Sequence, residues 1–342
     1  MQTFPEYWLR PTPLSAALLP VSWLFAAASA ARRSLFRLRV LPVIRLPVPV
    51  IVVGNVLVGG TGKTPLVLAL LERLREAGYR PGVLIRGYGG TSQSPVDVRA
   101  DDDPYAVGDE AVLIAARSGC PVCSGRDRGA AGRKLLQMHP QCNVLVSDDG
   151  LQHYRLARDF EIAVEDSRGH GNGRMLPAGP LREPGGRRVD ALVVNGEPHP
   201  ARRAEIERIA HRFRLRLEPE GFYALDDPQT LVDARELAGK RLHALAGIGD
   251  PRRFFVLLRE MGLEAVEHSF PDHHRFSAGE LDFSGCDALV MTEKDAVKCA
   301  RLARENSRCG WYALRVRAWL DPSFFELILK RLAGAHHGYP AA

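Results

Sequence analysis

The sequence predicts an α/β fold in which a mostly parallel sheet is covered by helices. Short apolar runs that suit buried strands alternate with segments of helical periodicity through most of the 342 residues. A glycine-rich turn follows the first run, and a segment without charge precedes it. The predicted strands begin at 48 and lie at 82–85, 143–146, 160–164, 191–194, 242–246, 287–292 and 311–316, and the clearest helices at 65–77, 111–116 and 251–261.

The glycine-rich turn joins the first strand to the first of these helices. Its backbone N–H groups can converge on an anion at the positive end of the helix dipole. Lys63 would reach terminal phosphates and Thr64 would ligate Mg²⁺, although the usual pattern has glycine where this chain has Leu57. The alternative is an ordinary strand-to-helix turn that contains a lysine. The context predicts a P-loop NTPase-like three-layer sandwich that binds ATP through Gly59, Gly60, Thr61, Gly62, Lys63 and Thr64.

Two carboxylates follow the apolar strand at 143–146. Asp148 and Asp149 stand where an acid that holds Mg²⁺ is expected, because the repulsion between adjacent acids is relieved by a divalent cation. The alternative is a solvated turn at Asp-Asp-Gly, a sequence that also favours hairpins.

Several polar residues outside these motifs have less specific spacing. Asp109 and Glu110 precede a short apolar helix, so either residue is a helix cap or a base. His273 and His274, after Asp272, are candidates for acid–base or metal chemistry, or lie on the surface. Candidates for binding phosphate or sugar hydroxyls are Arg86, Tyr88, Arg126, Arg128, Arg182 and Glu183.

The segment at 14–31 carries no charge and would span about 27 Å as a helix, close to the thickness of a bilayer core. Pro20 would interrupt it, and serines recur on one face, so it would cross a membrane or lie at its interface. A cleavable signal peptide, or a buried helix of a soluble protein, would also fit the pattern. Five arginines between 32 and 45 predict attraction to an anionic phospholipid surface, with the remainder of the chain on the cytoplasmic side.

Four segments are predicted from these patterns. Residues 1–40 form a membrane-associated helical segment, and 41–211 form the P-loop domain. Residues 212–227 alternate apolar and charged side chains around Pro-Glu-Gly, which predicts a two-stranded hairpin linker. Residues 228–342 form a smaller C-terminal α/β domain.

The net charge of +6 suits anionic partners, but no interleaved aromatic and basic platform indicates nucleic-acid binding. We therefore expect no nucleic-acid partner, and no obligate protein partner is evident. A further hypothesis is a membrane-docked ATPase switch of the partitioning type. Those proteins carry a second lysine early in the loop, where this chain has Leu57 and Val58.

The motifs taken together resemble the tetraacyldisaccharide 4'-kinase family of lipid A biosynthesis, over nearly the whole chain. They are Gly-Gly-Thr-Gly-Lys-Thr-Pro at 59–65, Arg-Gly-Tyr at 86–88, Gly-Asp-Glu at 108–110, Asp-Asp-Gly-Leu-Gln at 148–152, Gly-Pro-Leu-Arg-Glu-Pro at 179–184, Asp-His-His at 272–274 and Thr-Glu-Lys-Asp at 292–295.

The resemblance implies a kinase that phosphorylates the 4'-hydroxyl of a membrane-embedded tetraacyldisaccharide 1-phosphate with MgATP, at the cytoplasmic face of the bacterial inner membrane. It also implies that the family as a whole lacks the glycine that the usual pattern has at position 57. By resemblance, Asp109 and His273 form a dyad that accepts the sugar proton, assisted by Lys63. The expected metal ligands are Thr64, Asp148, Asp149 and Glu110, and the residues expected near the lipid headgroup or nucleotide are Tyr88, Arg128, Arg182 and Glu183.

Overall fold

The computed structural model describes residues 5–92, 94–305 and 309–335. Residues 1–4 of the predicted N-terminal segment and 336–342 of the predicted C-terminal domain lie outside these ranges. The first elements are α1 Glu6–Leu9, α2 Pro13–Ala17, α3 Leu19–Arg37, β1 Val50–Gly54, α4 Lys63–Glu76, β2 Pro81–Ile85, β3 Val96–Val98, α5 Pro104–Val107, α6 Asp109–Ser118, β4 Val122–Ser124, α7 Arg128–Met138, β5 Val144–Ser147, β6 Phe160–Asp166, β7 Ala191–Asn195 and α8 Pro200–Glu207.

The second group of elements continues the alternation of strands and helices. It comprises β8 Arg212–Ala224, β9 Asp227–Val232, α9 Ala234–Leu237, β10 Leu242–Ala246, α10 Pro251–Glu260, β11 Ala265–Ser269, a 3-10 turn Ala278–Leu281, β12 Ala288–Thr292, α11 Glu293–Glu305, β13 Gly310–Leu320 and α12 Pro322–Ala335. Each strand predicted between 48 and 316 has a counterpart here.

One hydrogen-bonded sheet of thirteen strands runs through the described residues. Its order is β11-β10-β12-β13-β8-β7-β6-β1-β5-β2-β4-β3, and β9 pairs with β8. The strands from β7 to β4 are parallel, as the alternating pattern predicts, and β3 is antiparallel to β4. The carboxyl ends of β1, β2, β5 and β6 therefore meet at one edge of the sheet.

Both faces of the first group of strands are covered by apolar side chains from helices. On one face, Leu70 of α4, Ile114 of α6 and Phe324 of α12 pack against the strands. On the other face, Leu135 of α7 and Ile206 of α8 do so. The strands are buried on both sides, which explains why they are continuous apolar runs without alternation.

The predicted hairpin at 212–227 is wrong in the position of its turn. β8 runs without a turn through Pro219 and Gly221, and it reverses only after Ala224 to pair with β9. The pairing with β13 shifts register between Arg315 and Val316, opposite Gly221 and Pro219. A proline without an N–H and a glycine at φ +137° are suited to such a β-bulge. The alternation therefore indicated a strand, and Pro-Glu-Gly marks a bulge in it.

The long strand β8 turns the second half of the molecule toward the first. It pairs in parallel with β7 through its first residues and antiparallel with β13 through the rest. The parallel strands β13, β12, β10 and β11 consequently run opposite to the first group. Since β8 extends beyond the carboxyl end of β7, the carboxyl ends of the two groups face each other.

The N-terminal helices pack through their polar side chains. Ser22 donates to the carbonyl of Met175 at 2.7 Å, and Trp8 Nε1 donates to that of Pro177 at 3.0 Å. The opposite side of α3 is apolar and open, with Trp23 65% and Leu24 72% exposed. None of the helices among the described residues has the length and hydropathy needed to cross a bilayer.

The helical run at 14–31 is interrupted next to Pro20, as the sequence predicts. The interruption lies at Leu18, between α2 and α3, and Pro20 lies in the first turn of α3. A proline is tolerated there because the first N–H groups of a helix have no partner within the helix.

Candidate active site

The glycine-rich turn has the backbone that its sequence predicts. Gly59 and Gly62 have φ angles of +92° and +87°, which a side chain would strain, and α4 begins at Lys63. Asn55, which follows β1, donates to the carbonyl of Gly59 at 3.0 Å and accepts from the Lys63 ammonium at 3.2 Å. The loop therefore holds its own lysine in place at the positive end of the helix.

Leu57 has a structural reason for standing where other phosphate loops have glycine. Its side chain is fully buried in a small cluster with Val56, Leu181 and Met175. Its backbone pairs with that of Leu181 in an isolated β-bridge. The neighbouring Val58 N–H donates to the carbonyl of Pro180 at 3.0 Å. The first part of the phosphate loop is thus anchored to the glycine- and proline-rich loop at 171–184.

Two side chains that the sequence did not single out fix the loop from the adjoining strand ends. Arg168, after β6, donates to the carbonyl of Gly60 at 2.6 Å. Asn195, at the end of β7, donates to that of Thr61 at 3.2 Å. The signal available in the sequence was their place at the carboxyl ends of predicted strands.

Asp149 lies beside the phosphate-loop lysine, as the sequence predicts. Lys63 Nζ is 3.5 Å from Asp149 Oδ1, and Arg182 donates to both carboxylate oxygens at 3.0 Å. Burial alone would raise the pKa of Asp149, but Lys63 and Arg182 outweigh it and lower the pKa. Asp149 is ionised, and it connects the phosphate loop to the loop that carries Arg182.

Asp148 is almost completely buried, with 1% of its surface exposed. Burial and the nearby charge of Glu110 raise its pKa to about 7. Its carboxylate accepts the N–H of Asp149 at 2.8 Å. A buried acid whose charge is disfavoured in this way is suited to a divalent cation, which would supply the missing positive charge.

The predicted metal set is only partly gathered. No group of three His, Cys, Asp or Glu side chains placed to hold a metal occurs within 5–92, 94–305 and 309–335. Glu110 instead lies 3.3 Å from the Lys294 ammonium. Mg²⁺ commonly takes one or two protein carboxylates together with substrate phosphates, so Thr64, Asp148 and Asp149 fit such an ion without a complete protein cage.

The dyad expected from the resemblance is assembled across the two halves. His273 Nδ1 lies 2.9 Å from Asp109 Oδ2, although 164 residues separate them. Asp109 is the first residue of α6, after Gly108 at φ +102°, and its carboxylate also accepts the N–H of Glu110 at 2.8 Å. Burial raises the pKa of Asp109, but the hydrogen bond from His273 and the Lys294 charge lower it below its ordinary value.

The structure separates the two adjacent histidines. The imidazole of His273 packs against the ring of Tyr88, with centroids 4.9 Å apart, while its backbone adopts φ +60°. His274 turns away and pairs with Glu280 at 3.1 Å. Only His273 therefore reaches Asp109.

Lys294 is a functional candidate to which the sequence assigned no role. It is the second residue of α11, in the Thr-Glu-Lys-Asp motif, and its ammonium lies 3.9 Å from Asp109 and 3.0 Å from Asp272. Burial lowers its pKa, but Glu110, Asp109 and Asp272 outweigh that effect and raise it. Lys294 is a partly buried, charged lysine next to the dyad.

The residues expected near the substrate are divided between open and buried positions. Tyr88 is largely exposed beside His273. Arg128 is buried and donates to the carbonyls of Gly125 at 2.7 Å and Asp148 at 2.9 Å, so it braces the strand end. Glu183 is also buried and pairs with Arg187 at 2.8 Å. Contacts of Tyr88, Arg128, Arg182 and Glu183 with a lipid or nucleotide stay predictions.

Comparison with known proteins identifies relatives over the full length of the chain. The family model described as tetraacyldisaccharide-1-P 4'-kinase matches residues 14–333. A tetraacyldisaccharide 4'-kinase of Chromobacterium violaceum is 50% identical over 343 residues, covering 98% of this chain and 99% of the relative. One of Azoarcus sp. (strain BH72) is 48% identical over 346 residues, covering 100% and 98%.

A solved structure agrees with the sequence relatives. The crystal structure of LpxK from Aquifex aeolicus in complex with ATP has a TM-score of 0.76 and 30% identity, and the match covers 93% of this chain and 99% of that one. The mixed α/β fold is thereby confirmed. The chain belongs to the tetraacyldisaccharide 4'-kinase family.

Proposed function

We propose that the protein transfers the γ-phosphate of ATP to the 4'-hydroxyl of a tetraacyldisaccharide 1-phosphate, a lipid A precursor. The observation that carries the proposal is the meeting of two sets of groups at the facing carboxyl edges. One set is the phosphate loop with Lys63 and Asp149, 3.5 Å apart. The other is the Asp109–His273 pair. Glu110 connects the two sets, because its charge acts on Asp148 and its carboxylate lies 3.3 Å from the Lys294 ammonium.

Phosphoryl transfer needs little covalent assistance from the protein, so placement and charge carry most of the catalysis. Lys63 is placed to neutralise the terminal phosphates. Asp109 is ionised and buried, and it would accept the proton of the sugar hydroxyl while His273 holds its carboxylate. The segments 41–211 and 228–342 are the two domains that supply these groups.

Magnesium fits the acidic side of this site. Thr64, Asp148 and Asp149 would hold it, since Asp148 is buried and its charge is disfavoured without a cation. When bound, Mg²⁺ neutralises charge on the transferring phosphate. Arg182 holds Asp149 in position, and with the exposed Tyr88 it would face the nucleotide or the lipid headgroup. The buried Arg128 and Glu183 would support this wall from behind, through the Asp148 carbonyl and Arg187.

We further infer that α3 lies in the membrane interface at the cytoplasmic face of the inner membrane. Its serine side faces the protein, while Trp23 and Leu24 face outward. The exposed arginines that follow, among them Arg37 and Arg39, suit anionic headgroups. An enzyme held in this way meets its lipid acceptor without extracting it from the bilayer.

The reaction is tested by incubating the protein with γ-³²P-labelled ATP and a tetraacyldisaccharide 1-phosphate, followed by thin-layer chromatography of the lipid. We expect Asp109→Asn to reduce kcat by about 10²- to 10⁴-fold with little change in the KM for ATP. The control is Asp103→Asn, which removes a carboxylate that caps α5 outside the site. Near-normal turnover of Asp109→Asn would show that Asp109 is only a helix-terminal acid.

A switch of the partitioning type is not favoured. Such a switch needs a second lysine early in the phosphate loop, at the place of Leu57 or Val58. In this chain Leu57 packs against the loop at 171–184, and the Val58 N–H donates to that loop. Light scattering with and without ATP tests this alternative. Dimerisation on ATP with no transfer to the lipid would reverse the preference.

Membrane docking is tested by sedimentation with vesicles of phosphatidylglycerol and phosphatidylcholine. We expect Leu24→Glu to weaken binding, because it places a charge where an apolar side chain would enter the interface. The matched control is Val266→Glu, at another open apolar position, on β11. Equal binding by both variants and the wild type would exclude α3 as the docking surface.

A further inference from the structure

Lys294 occupies the point where the two halves meet around the dyad. Its side chain is 17% exposed, and its ammonium lies 3.0 Å from Asp272, 3.3 Å from Glu110 and 3.5 Å from His273 Nε2. Asp109 is 3.9 Å away. Two of these partners belong to α6 of the first half and two to the loop after β11. The lysine therefore contacts both members of the dyad and an acid beside each of them.

The first turn of α11 is held rigidly, which gives Lys294 a defined position. The preceding Glu293 pairs with Arg117, at the far end of α6. The following Asp295 is fully buried, accepts the N–H of Gly247 at 3.0 Å and pairs with Lys298 at 2.8 Å. α6 is thus fixed to α11 near both of its ends, by Lys294 at the dyad and by Glu293 one helix length away.

These contacts determine which nitrogen of His273 carries the proton. An ionised Asp109 only accepts hydrogen bonds, so Nδ1, at 2.9 Å, must donate to it. A lysine ammonium only donates, so Nε2, at 3.5 Å, must offer its lone pair. The nearest oxygen of Asp272 is 3.8 Å from Nε2, too far for a competing hydrogen bond. Both neighbours select the same tautomer.

We propose that Lys294 is a positioning residue for the phosphoryl transfer: its ammonium donates to Nε2 and fixes the ring orientation of His273, which in turn aims the carboxylate of Asp109. This inference rests on the proposed function. Lys294 acts through the histidine, and its ammonium contacts the dyad, Glu110 and Asp272 rather than the glycines of the phosphate loop. Its removal should therefore slow turnover and leave nucleotide binding intact.

The kinetic test uses Lys294→Met, which keeps most of the side-chain length and removes the charge. We expect kcat to fall roughly 10- to 100-fold, because a slightly misplaced reacting group costs rate on that scale, while the KM for ATP changes less than about twofold. Lys294→Arg restores a donor and should recover part of kcat. Arg301→Met is the control, since it removes a cation from the exposed side of the same helix, where Arg301 pairs with Glu305.

Two further readouts separate positioning from a purely structural ion pair. Ethylammonium should raise the kcat of Lys294→Ala, whereas sodium chloride at the same ionic strength should not. The ¹⁵N NMR spectrum of histidine-labelled protein reports the tautomer directly, with His273 assigned from the spectrum of His273→Gln. The wild type should show a protonated Nδ1 and a bare Nε2 that accepts a hydrogen bond. In Lys294→Met the Nε2 signal should move to that of a lone pair without a donor, while Asp109 keeps Nδ1 protonated.

The outcomes divide cleanly. Wild-type kcat in Lys294→Met, an equal loss of kcat in Arg301→Met, or a wild-type His273 protonated at Nε2 each overturns the proposal. If Lys294→Met does not fold, the wild-type spectrum and the ethylammonium experiment still decide it. A wild-type enzyme that transfers no phosphate refutes the proposed function instead, and the spectrum then tests the tautomer separately.

Discussion

Replacing Leu57 by glycine would make the phosphate loop match the usual pattern and should nevertheless damage the protein. The Leu57 side chain is fully buried against Val56, Leu181 and Met175. Removing a leucine from such a site costs about 3 to 5 kcal/mol, and a glycine in an ordered segment adds up to about 1 kcal/mol. We therefore expect Leu57→Gly to lower the free energy of unfolding by about 4 kcal/mol.

The measurement is urea unfolding followed by tryptophan fluorescence, together with ATP binding by calorimetry. Leu57→Gly should shift the midpoint to lower urea and weaken ATP binding, because the buried Leu57 side chain packs the phosphate loop against Leu181 and Met175. The control Leu57→Met conserves volume and should cost less than about 1.5 kcal/mol. A Leu57→Gly protein as stable as the wild type, with tighter ATP binding, would refute this account of Leu57.

Three further perturbations have definite expected results. The folded-state pKa of Asp148 is raised to about 7, so the stability that its neutral form keeps at low pH is lost as pH rises from about 4 to 7. In urea titrations Asp148→Asn should therefore match the nucleotide-free wild type near pH 4 and be more stable than it by about 4 kcal/mol at pH 8. Arg117→Met leaves the buried Glu293 without its partner and should cost about 3 kcal/mol in the same assay, partly restored by adding Glu293→Gln. Ser22→Ala loses the hydrogen bond to the Met175 carbonyl and should weaken docking of α3 by about 1 kcal/mol, seen as faster amide exchange across that helix.

The parts of the fold that local sequence patterns determine were predictable. The continuous apolar runs of β1, β5 and β6 indicate strands buried on both faces, and the positions of the acids after β5 follow from the strand ends. The phosphate loop has the same property, since its glycines, its lysine and its helix lie within a few residues of one another. The meeting of Lys63 with Asp149 follows because adjacent parallel strands share one carboxyl edge.

The roles of Lys294, Arg128 and Glu183 were not predictable from spacing. Each is a charged residue near a motif, and such a residue is commonly exposed. The structure buries Arg128 and Glu183, partly buries Lys294, and pairs all three with other groups. Lys294 contacts Glu110 across 184 positions of the chain, and Arg128 donates to the carbonyl of Asp148. Burial of this kind depends on which elements pack together, and the local pattern carries no information on that.

The Asp109–His273 contact depends on the direction of the second sheet region, which in turn depends on β8. If the chain had reversed at Pro219, as its sequence indicates, residues 221–224 would fold back beside 215–218, and the β13 residues that pair with 221–224 would lose their partners. The uninterrupted strand instead pairs with β7 at one end and antiparallel with β13 along the rest, so the parallel strands β10 and β12 point back toward the phosphate loop. The bulge at 219–221 keeps this strand in register despite a proline. Pro219 and Gly221, whose sequence is typical of a turn, therefore form the bulge that keeps β8 continuous. The continuous strand allows the loop after β11 to bring His273 to the first residue of α6.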